Sequence, residues 1–410
     1  MKEFQKKSVE GIFKYYKDEL GIEPDADGVL NIDVSFDGTW MTRGHRSKVG
    51  VSFVIECNTG IVVDFEVLSF FCHGCAILEN KKAKNIISKE KYKIKKEKHK
   101  IRCKANYSGS SGGMEKEAAC RLWSRSLDHK LRYTVIVSDG DTNTYKSILE
   151  LNDNEGPYGL NHPVVKEECK NHLHKRLGSR IFSLKRQMRE KRETATGKIQ
   201  FRTTLQITDK AIEHLQRYFL AAVNRHIGGN WKDLKIDIMS TFFHCSSTDE
   251  NPRHQLCSDK WCLFKQDELA GRQVRPHSEM RVAIRSSDPD VLKKIHEIYQ
   301  DLTREELLQR CLKGRTQNPN ESFHSKLWAK CSKVKFAGYD KVLFAAQVTV
   351  IQHNFGYQEG SLLSFLGISS PKETRVIEEK FEKIRSTSTP GRKRKRIQTL
   401  KDNDYAAGSF

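Results

Sequence analysis

Over the first 20 positions the apolar residues Phe4, Val9, Ile12, Phe13 and Tyr16 fall near one face of a 3.6-residue period, which predicts an amphipathic helix. The pattern then changes to strand. Asn31 to Asp37 (NIDVSFD) and Lys48 to Glu56 (KVGVSFVIE) are rich in Val, Ile and Phe. Asn58-Thr59-Gly60 is a turn signal, and Ile61 to Phe71 (IVVDFEVLSFF) completes a hairpin. From Asn80 to Lys104 the chain is polar and crowded with lysine. Gly109 to Gly113 (GSSGG) precedes a helical pattern from Met114 to about Ser126. Arg132 to Ser138 (RYTVIVS) is a short apolar run of the kind a buried parallel strand shows. The predicted order is three strands in antiparallel succession, then a helix crossing to a fourth strand that can lie beside the first.

The second half reads differently. Helical patterns cover Lys170 to Glu190, Asp209 to His226 and Pro289 to Leu312, with a Cys/His-rich stretch from His244 to Cys262 between the last two. Further helices are predicted from about Glu321 to Cys331 and from Gly338 to His353. No internal repeat is visible. Ser386 to Phe410 is polar and reads as a disordered tail.

Charge narrows the choice of partner. The 410 residues carry 72 Lys+Arg against 52 Asp+Glu, a formal charge of +20, and the pI is about 9.4. That excess favours a polyanion, nucleic acid before an acidic membrane surface. No apolar run approaches the roughly 20 residues of a membrane span, and the N-terminus lacks the apolar core of a signal peptide. The expectation is an intracellular protein with no membrane partner. Its 11 cysteines, an odd number, then suit metal ligation or burial better than disulfides.

Two aspartates stand at the ends of apolar strands, Asp37 before Gly38-Thr39-Trp40 and Asp139 before Gly140-Asp141. A carboxylate at such a place is costly unless paired, and two on neighbouring strands repel. Divalent Mg²⁺ or Mn²⁺ removes both objections, and a pair of such ions can activate a water or a 3′-hydroxyl against a phosphodiester. The plainer reading makes each Asp-Gly a turn. Asp33, on the same face of the strand as Asp37, and Asp141 are alternative carboxylates. A third would be Glu321, in the first turn of a helix opened by Asn318-Pro319-Asn320, unless it is a solvated helix-start residue.

In this order, Asp37-Gly38-Thr39-Trp40 with Arg43-Gly44-His45, Ser138-Asp139-Gly140-Asp141, and Asn320-Glu321-Ser322-Phe323 with Trp328 resemble the Mutator-like transposases of animal genomes. The strand order above is also that of ribonuclease H. The resemblance runs from about Asn31 to His353. It implies an α/β, mixed-sheet ribonuclease-H-like fold, with Asp37, Asp139 and Glu321 as a DDE triad holding two Mg²⁺ or Mn²⁺ ions. It further implies a first core part over 31–168, a helical Cys/His-bearing insertion over 169–317 and completion of the core over 318–370. A helical lead-in (1–30) and a basic tail (371–410) flank these. It places Cys169-Lys170-Asn171-His172 as the Cys-x-x-His motif of the family, and implies a homo-oligomer of at least two chains on DNA. About 30 residues before the first strand are too few for a separate N-terminal DNA-binding domain of ordinary size, so site-specific recognition of transposon ends either is lacking or rests with the core and its basic segments.

Two further Cys/His sets have the vocabulary of structural Zn²⁺. Cys72 and Cys75, with His99 and Cys103, lie in a segment too polar to fold on apolar burial, which a metal would stabilise. His73 lies inside the pair and is the poorer donor. Cys245, His254, Cys257 and Cys262 form the second set; Cys169 and His172 would need partners such as His174. Cys57, Cys120, Cys311 and Cys331 read as buried thiols. Arg43, and Lys93, Lys95 and Lys96 within the lysine-rich segment Lys81 to Lys104, could meet DNA phosphates without reading sequence, or be plain solvated positions. Arg392, Lys393 and Arg394, in the run to Arg396, suit a nuclear localisation signal or a DNA-contacting tail.

Two other readings compete with an active transposase. One is a domesticated, non-catalytic DNA-binding protein of transposase descent. The other is a related exonuclease, whose usual Asp-x-Glu on the first strand is missing because Gly38 and Thr39 follow Asp37.

Overall fold

The computed structural model describes residues 1–42, 47–139, 142–193, 199–203, 205, 207–279, 284 and 289–356, with 369, 372, 374, 376, 377, 379, 380 and 383. Arg43, His45, Asp141, Arg392, Lys393 and Arg394 lie outside the described residues. The chain forms two compact units, one from Met1–Lys166 with Gln317–Thr389, the other lying between these segments in sequence, Glu167–Thr316.

The first unit opens with α1 (Lys2–Leu20), which ends at Gly21 in the left-handed region at φ 62°. Ile12 and Tyr16 are buried, with Val9 and Phe13 packed partly against them. Three strands follow, β1 (Leu30–Trp40), β2 (Val49–Glu56) and β3 (Val62–Ser69). The β2–β3 turn is closed by a buried carboxylate: Glu56 accepts from Tyr16 Oη at 2.9 Å, from the backbone N–H of Asn58 at 2.9 Å, and from both N–H and hydroxyl of Thr59 at 2.6 Å. A buried charge needs such saturation.

After β3 come α2 (His73–Ala83) and α3 (Lys89–His99), then α4 (Met114–Ser124) and β4 (Leu131–Ser138). Next are α5 (Thr142–Leu149), a single turn α6 (Leu151–Asn154) and the short β5 (Val165–Glu168). The sheet order is β3-β2-β1-β4-β5. β1 pairs antiparallel with β2 and parallel with β4, and β2 pairs antiparallel with β3. The crossover from β3 to β4 runs through α4, whose Trp123 is fully buried against Phe36 and Tyr133.

In the second unit, α7 (Lys170–Gln187) leads into a hairpin of β6 (Arg189–Glu193) and β7 (Ile199–Thr203). α8 (Asp209–Arg225), α9 (Trp231–Cys245), the short α10 (Leu263–Leu269), α11 (Pro289–Leu302) and α12 (Glu305–Gln309) follow. Its core is a separate apolar cluster that includes Leu177, Leu215, Phe219, Ile238, Phe242, Ile295 and Tyr299. The chain then returns to the first unit as α13 (Asn318–Lys330) and α14 (Tyr339–Phe355). These pack on the sheet face formed by Val51, Phe53 and Ile55, opposite α4, through Phe323, Leu327, Val342 and Ala346.

Several expectations need revision. β1 does not stop at Asp37: it runs through Gly38 and Thr39 to Trp40, still paired with Ser52, Val51 and Gly50. Asp37-Gly38 is therefore not a turn. A Cβ at Gly38 would sit 3.2 Å from Glu115 and from Ser52 Oγ, a close fit that only a small shift of those side chains would admit. The polar Asn80–Lys104 segment holds helices. The helix expected from Lys170 to Glu190 ends at Gln187, because the chain turns there into β6.

Candidate functional site

Asp37 lies on β1, and Asp139 directly follows Ser138, the last residue of the adjacent β4. The last parallel pair of β1 and β4 is Ser35 with Val137. Each aspartate stands two residues beyond that pair, at the same end of the two neighbouring strands. Asp37 is half-buried and Asp139 exposed. Asp33 is four residues back along β1, about 13 Å at the usual rise. A register shift separates Ile32 from Asp33, and its charge acts on Tyr16 at the far end of the strand.

Helix α13 is seated over this corner by its own polar residues. Gln317 donates to Phe36 O at 2.8 Å, Asn320 to Ser35 O at 3.4 Å, and Trp328 Nε1 to Thr39 Oγ1 at 2.8 Å. His324 Nδ1 lies 3.6 Å from Asp37 Oδ2. Burial pushes the His324 imidazole down to about 4, with the Lys333 charge adding to the effect. The ring is therefore neutral at physiological pH, and its approach to Asp37 is not an ion pair. Glu321, exposed in the first turn of α13, shares a helix face with His324 one turn on. Three buried polar atoms of Ser35 and α13 have no hydrogen-bonding partner among the described residues: Ser35 Oγ, Asn320 Oδ1 and His324 Nε2. A carboxylate-lined corner with unspent polar atoms has the oxygen-rich chemistry that hard divalent cations take.

Two clusters of sulfur and imidazole lie elsewhere. Cys72, Cys75, His99 and Cys103 bring one donor atom each within 4.8 Å of one another. Cys72 Sγ is 3.1 Å from His99 Nε2, and Cys75 Sγ is 3.5 Å from Cys103 Sγ. The four join the bases of α2 and α3. Gly74 is required between the cysteines because a Cβ there would overlap the His99 ring; His73 is exposed. Burial raises the Cys72 thiol, but hydrogen bonds from the backbone of Lys104, Cys75 and Gly74 and from His99 bring it down to about 6. Burial and Cys103 push Cys75 up to about 12. α2 buries no residue and α3 only Tyr92, so apolar packing does little for this hairpin.

The second cluster is His244, His254, Cys257 and Cys262, all buried. Cys245 is not among its donors. It faces the apolar core of the second unit, while His244, about 100° round the same helix, faces the other three. Sequence spacing did not separate these neighbours. Both clusters are donor sets that a metal ion such as zinc could use. Cys169 and His172 begin α7, where the His172 N–H donates to Cys169 O at 3.0 Å; among the described residues no third donor joins them in a metal-sized group.

Of the lysines singled out, Lys93 and Lys95 are exposed on α3. Lys96 is held by Glu79 at 3.2 Å and Tyr92 Oη at 2.8 Å. No helix among the described residues is long and apolar enough to cross a membrane.

A family model described as Mutator-like transposase matches residues 3–262. No curated protein and no solved structure matches the chain.

Proposed function

The chain belongs to the Mutator-like transposase family, and from that premise we propose that it is a DDE transposase with a ribonuclease-H-like core, cutting and joining DNA at transposon ends. The observation that carries this reading is the parallel pairing of β1 with β4, whose last pair, Ser35 with Val137, lies two residues before Asp37 and Asp139, beside the seated helix α13. The sheet order, with β1 central and β4 parallel to it, supports the core assignment. Glu321 lies beyond the matched residues, so its place in the triad rests on the seating of α13.

In this reading Asp37, Asp139 and Glu321 hold Mg²⁺ or Mn²⁺. When bound, such ions lower the pKa of water and stabilise the leaving oxygen of a phosphodiester. The rest falls to the protein. His324 packs beside Asp37, with Nδ1 3.6 Å from its carboxylate. Trp328, Asn320 and Gln317 hold α13 in register with the end of β1. No protein nucleophile is required: water frees a 3′-hydroxyl, which then attacks target DNA. Sulfur and imidazole suit zinc, and the first Cys/His centre would hold it to clamp the α2–α3 hairpin. That hairpin presents Lys93 and Lys95 to phosphates. The segment 167–316 is the helical insertion before the triad glutamate. The protein would act in the nucleus, as a homo-oligomer on DNA.

The test is Mn²⁺- and Mg²⁺-dependent cutting of labelled duplex by wild type and by Asp37→Asn, Asp139→Asn and Glu321→Gln. Each change removes a charge at nearly constant shape. The proposal expects cutting by wild type alone, with DNA binding retained in all four. Cutting that survives in one variant removes that residue from the triad. Binding without any cutting would favour a captured, non-catalytic DNA-binding protein.

A further inference from the structure

We propose that His277 and Asp249 are the outer shell of a second zinc site, in which His244, His254, Cys257 and Cys262 are the ligands and the chain His254–His277–Asp249 fixes the nitrogen that His254 presents.

The distances carry the first half. Tetrahedral zinc with bonds of about 2.0 Å to nitrogen and about 2.3 Å to sulfur has N···N edges of about 3.3 Å and N···S edges of about 3.5 Å. Here His244 Nδ1 and His254 Nδ1 are 3.2 Å apart. Cys257 Sγ lies 3.7 Å from His244 Nδ1 and 3.6 Å from His254 Nδ1. Cys262 Sγ lies 3.6 and 3.5 Å from the same two nitrogens. Two thiolates and two neutral imidazoles balance one Zn²⁺, so the buried centre is uncharged once filled.

The second half follows from donors and acceptors. His277 Nδ1 is 2.7 Å from Asp249 Oδ1, and the same oxygen accepts the His277 backbone N–H at 2.7 Å. A carboxylate only accepts, so His277 Nδ1 donates to Asp249 and its Nε2 is the nitrogen turned towards His254. His277 Nε2 lies 3.0 Å from His254 Nε2. His254 Nδ1 faces the other three donors, so with zinc on that nitrogen the ring proton sits on Nε2, where His277 can accept it. Phe264 stacks on the His254 ring at 4.1 Å and 16°, holding its plane. Outer partners of this kind orient metal-bound histidine and raise its basicity. The packing around them is slight: Cys257, Trp261 and Cys262, with Phe264 partly buried against them, form a small cluster of their own. A metal would supply what that cluster does not.

The experiment measures bound zinc and the visible spectrum of the Co²⁺-substituted protein in the full chain carrying Cys75→Ser, which disables the first centre. We expect one equivalent and a tetrahedral Co²⁺ spectrum, both lost in His244→Ala and Cys257→Ser and both kept in Cys245→Ser. His277→Phe and Asp249→Asn keep the equivalent at saturating zinc, but their affinity in chelator competition falls about 10–100-fold. Zinc retained by Cys257→Ser, or lost in Cys245→Ser, would overturn the ligand set. Unchanged affinity in folded His277→Phe would overturn the outer shell. Since metal content is read rather than DNA cutting, failure of the transposase reading leaves these outcomes as they stand.

Discussion

Trp328 Nε1 donates to Thr39 Oγ1 at 2.8 Å, tying α13 to β1 two residues beyond Asp37. Phenylalanine at 328 keeps most of the ring and loses the donor. The lost hydrogen bond should cost about 0.5–1.5 kcal/mol of stability. If the bond sets the height of Glu321 over the aspartates, Mn²⁺-dependent DNA cutting in Trp328→Phe should fall by more than the loss of folded protein explains. Cutting that merely tracks thermal stability would reduce this contact to packing.

Asp64 gives a pH dependence with a definite sign. Burial raises its pKa, but hydrogen bonds from His129 and Arg125, and the Arg125 charge, outweigh burial and hold the carboxyl below its usual range. A folded-state pKa below the unfolded one means stability that is present above the unfolded value and is lost as pH falls through the folded one. Asp64→Asn should therefore destabilise the first unit at neutral pH, by about 1–3 kcal/mol for a buried charged partner. It should also flatten the acid limb of its stability curve. Thermal melts from neutral to acid pH check this. Parallel wild-type and variant curves on the acid side would be the contrary result.

The first Cys/His centre predicts a local effect. Because α2 buries nothing and α3 buries only Tyr92, loss of the metal should open the hairpin and leave the sheet intact. Cys75→Ser should lose one equivalent of zinc and become cleavable by protease between residues 76 and 102. The main thermal transition should hardly move. Zinc content equal to wild type would remove the centre from the account.

What could be read in the sequence follows from how far each signal reaches along the chain. β1 to β4 announce themselves as apolar runs between turn residues. Cys72, Cys75, His99 and Cys103 show a ligand spacing within 32 residues, and the fold brings these four together. The helices α2 and α3 are illegible because no apolar period marks them; α3 is almost all lysine and glutamate, and α2 buries none of its residues. α9 was missed because Ser240, Thr241 and His244 are buried along with its apolar residues, so no polar face stands out. The choice of His244 over Cys245 depends on which side of that helix meets the core, which only tertiary packing decides. The seating of α13 joins Trp328 to Thr39 across 289 positions; family resemblance singled out both segments, but neither it nor the local pattern indicates the contact between them.

The α2–α3 hairpin separates two kinds of lysine. Lys93 and Lys95 are exposed on α3, while the Lys96 ammonium is held by Glu79 and Tyr92 Oη. An exposed pair such as Lys96–Glu79 adds little stability, but it must be broken before Lys96 can take a phosphate. Each lysine that meets a phosphate contributes about 0.9 to the slope of log affinity against log salt. The double change Lys93→Gln, Lys95→Gln should lower that slope on random duplex by up to about 2, nearly uniformly across sequences, since phosphate contacts do not read bases. Lys96→Gln should lower it by much less. Titrations of fluorescent duplex at several salt concentrations give the three slopes. A drop for Lys96→Gln as large as for the pair would mean that DNA displaces Glu79. No drop in any of them would take the hairpin out of contact with DNA and shift the basic surface elsewhere on the protein.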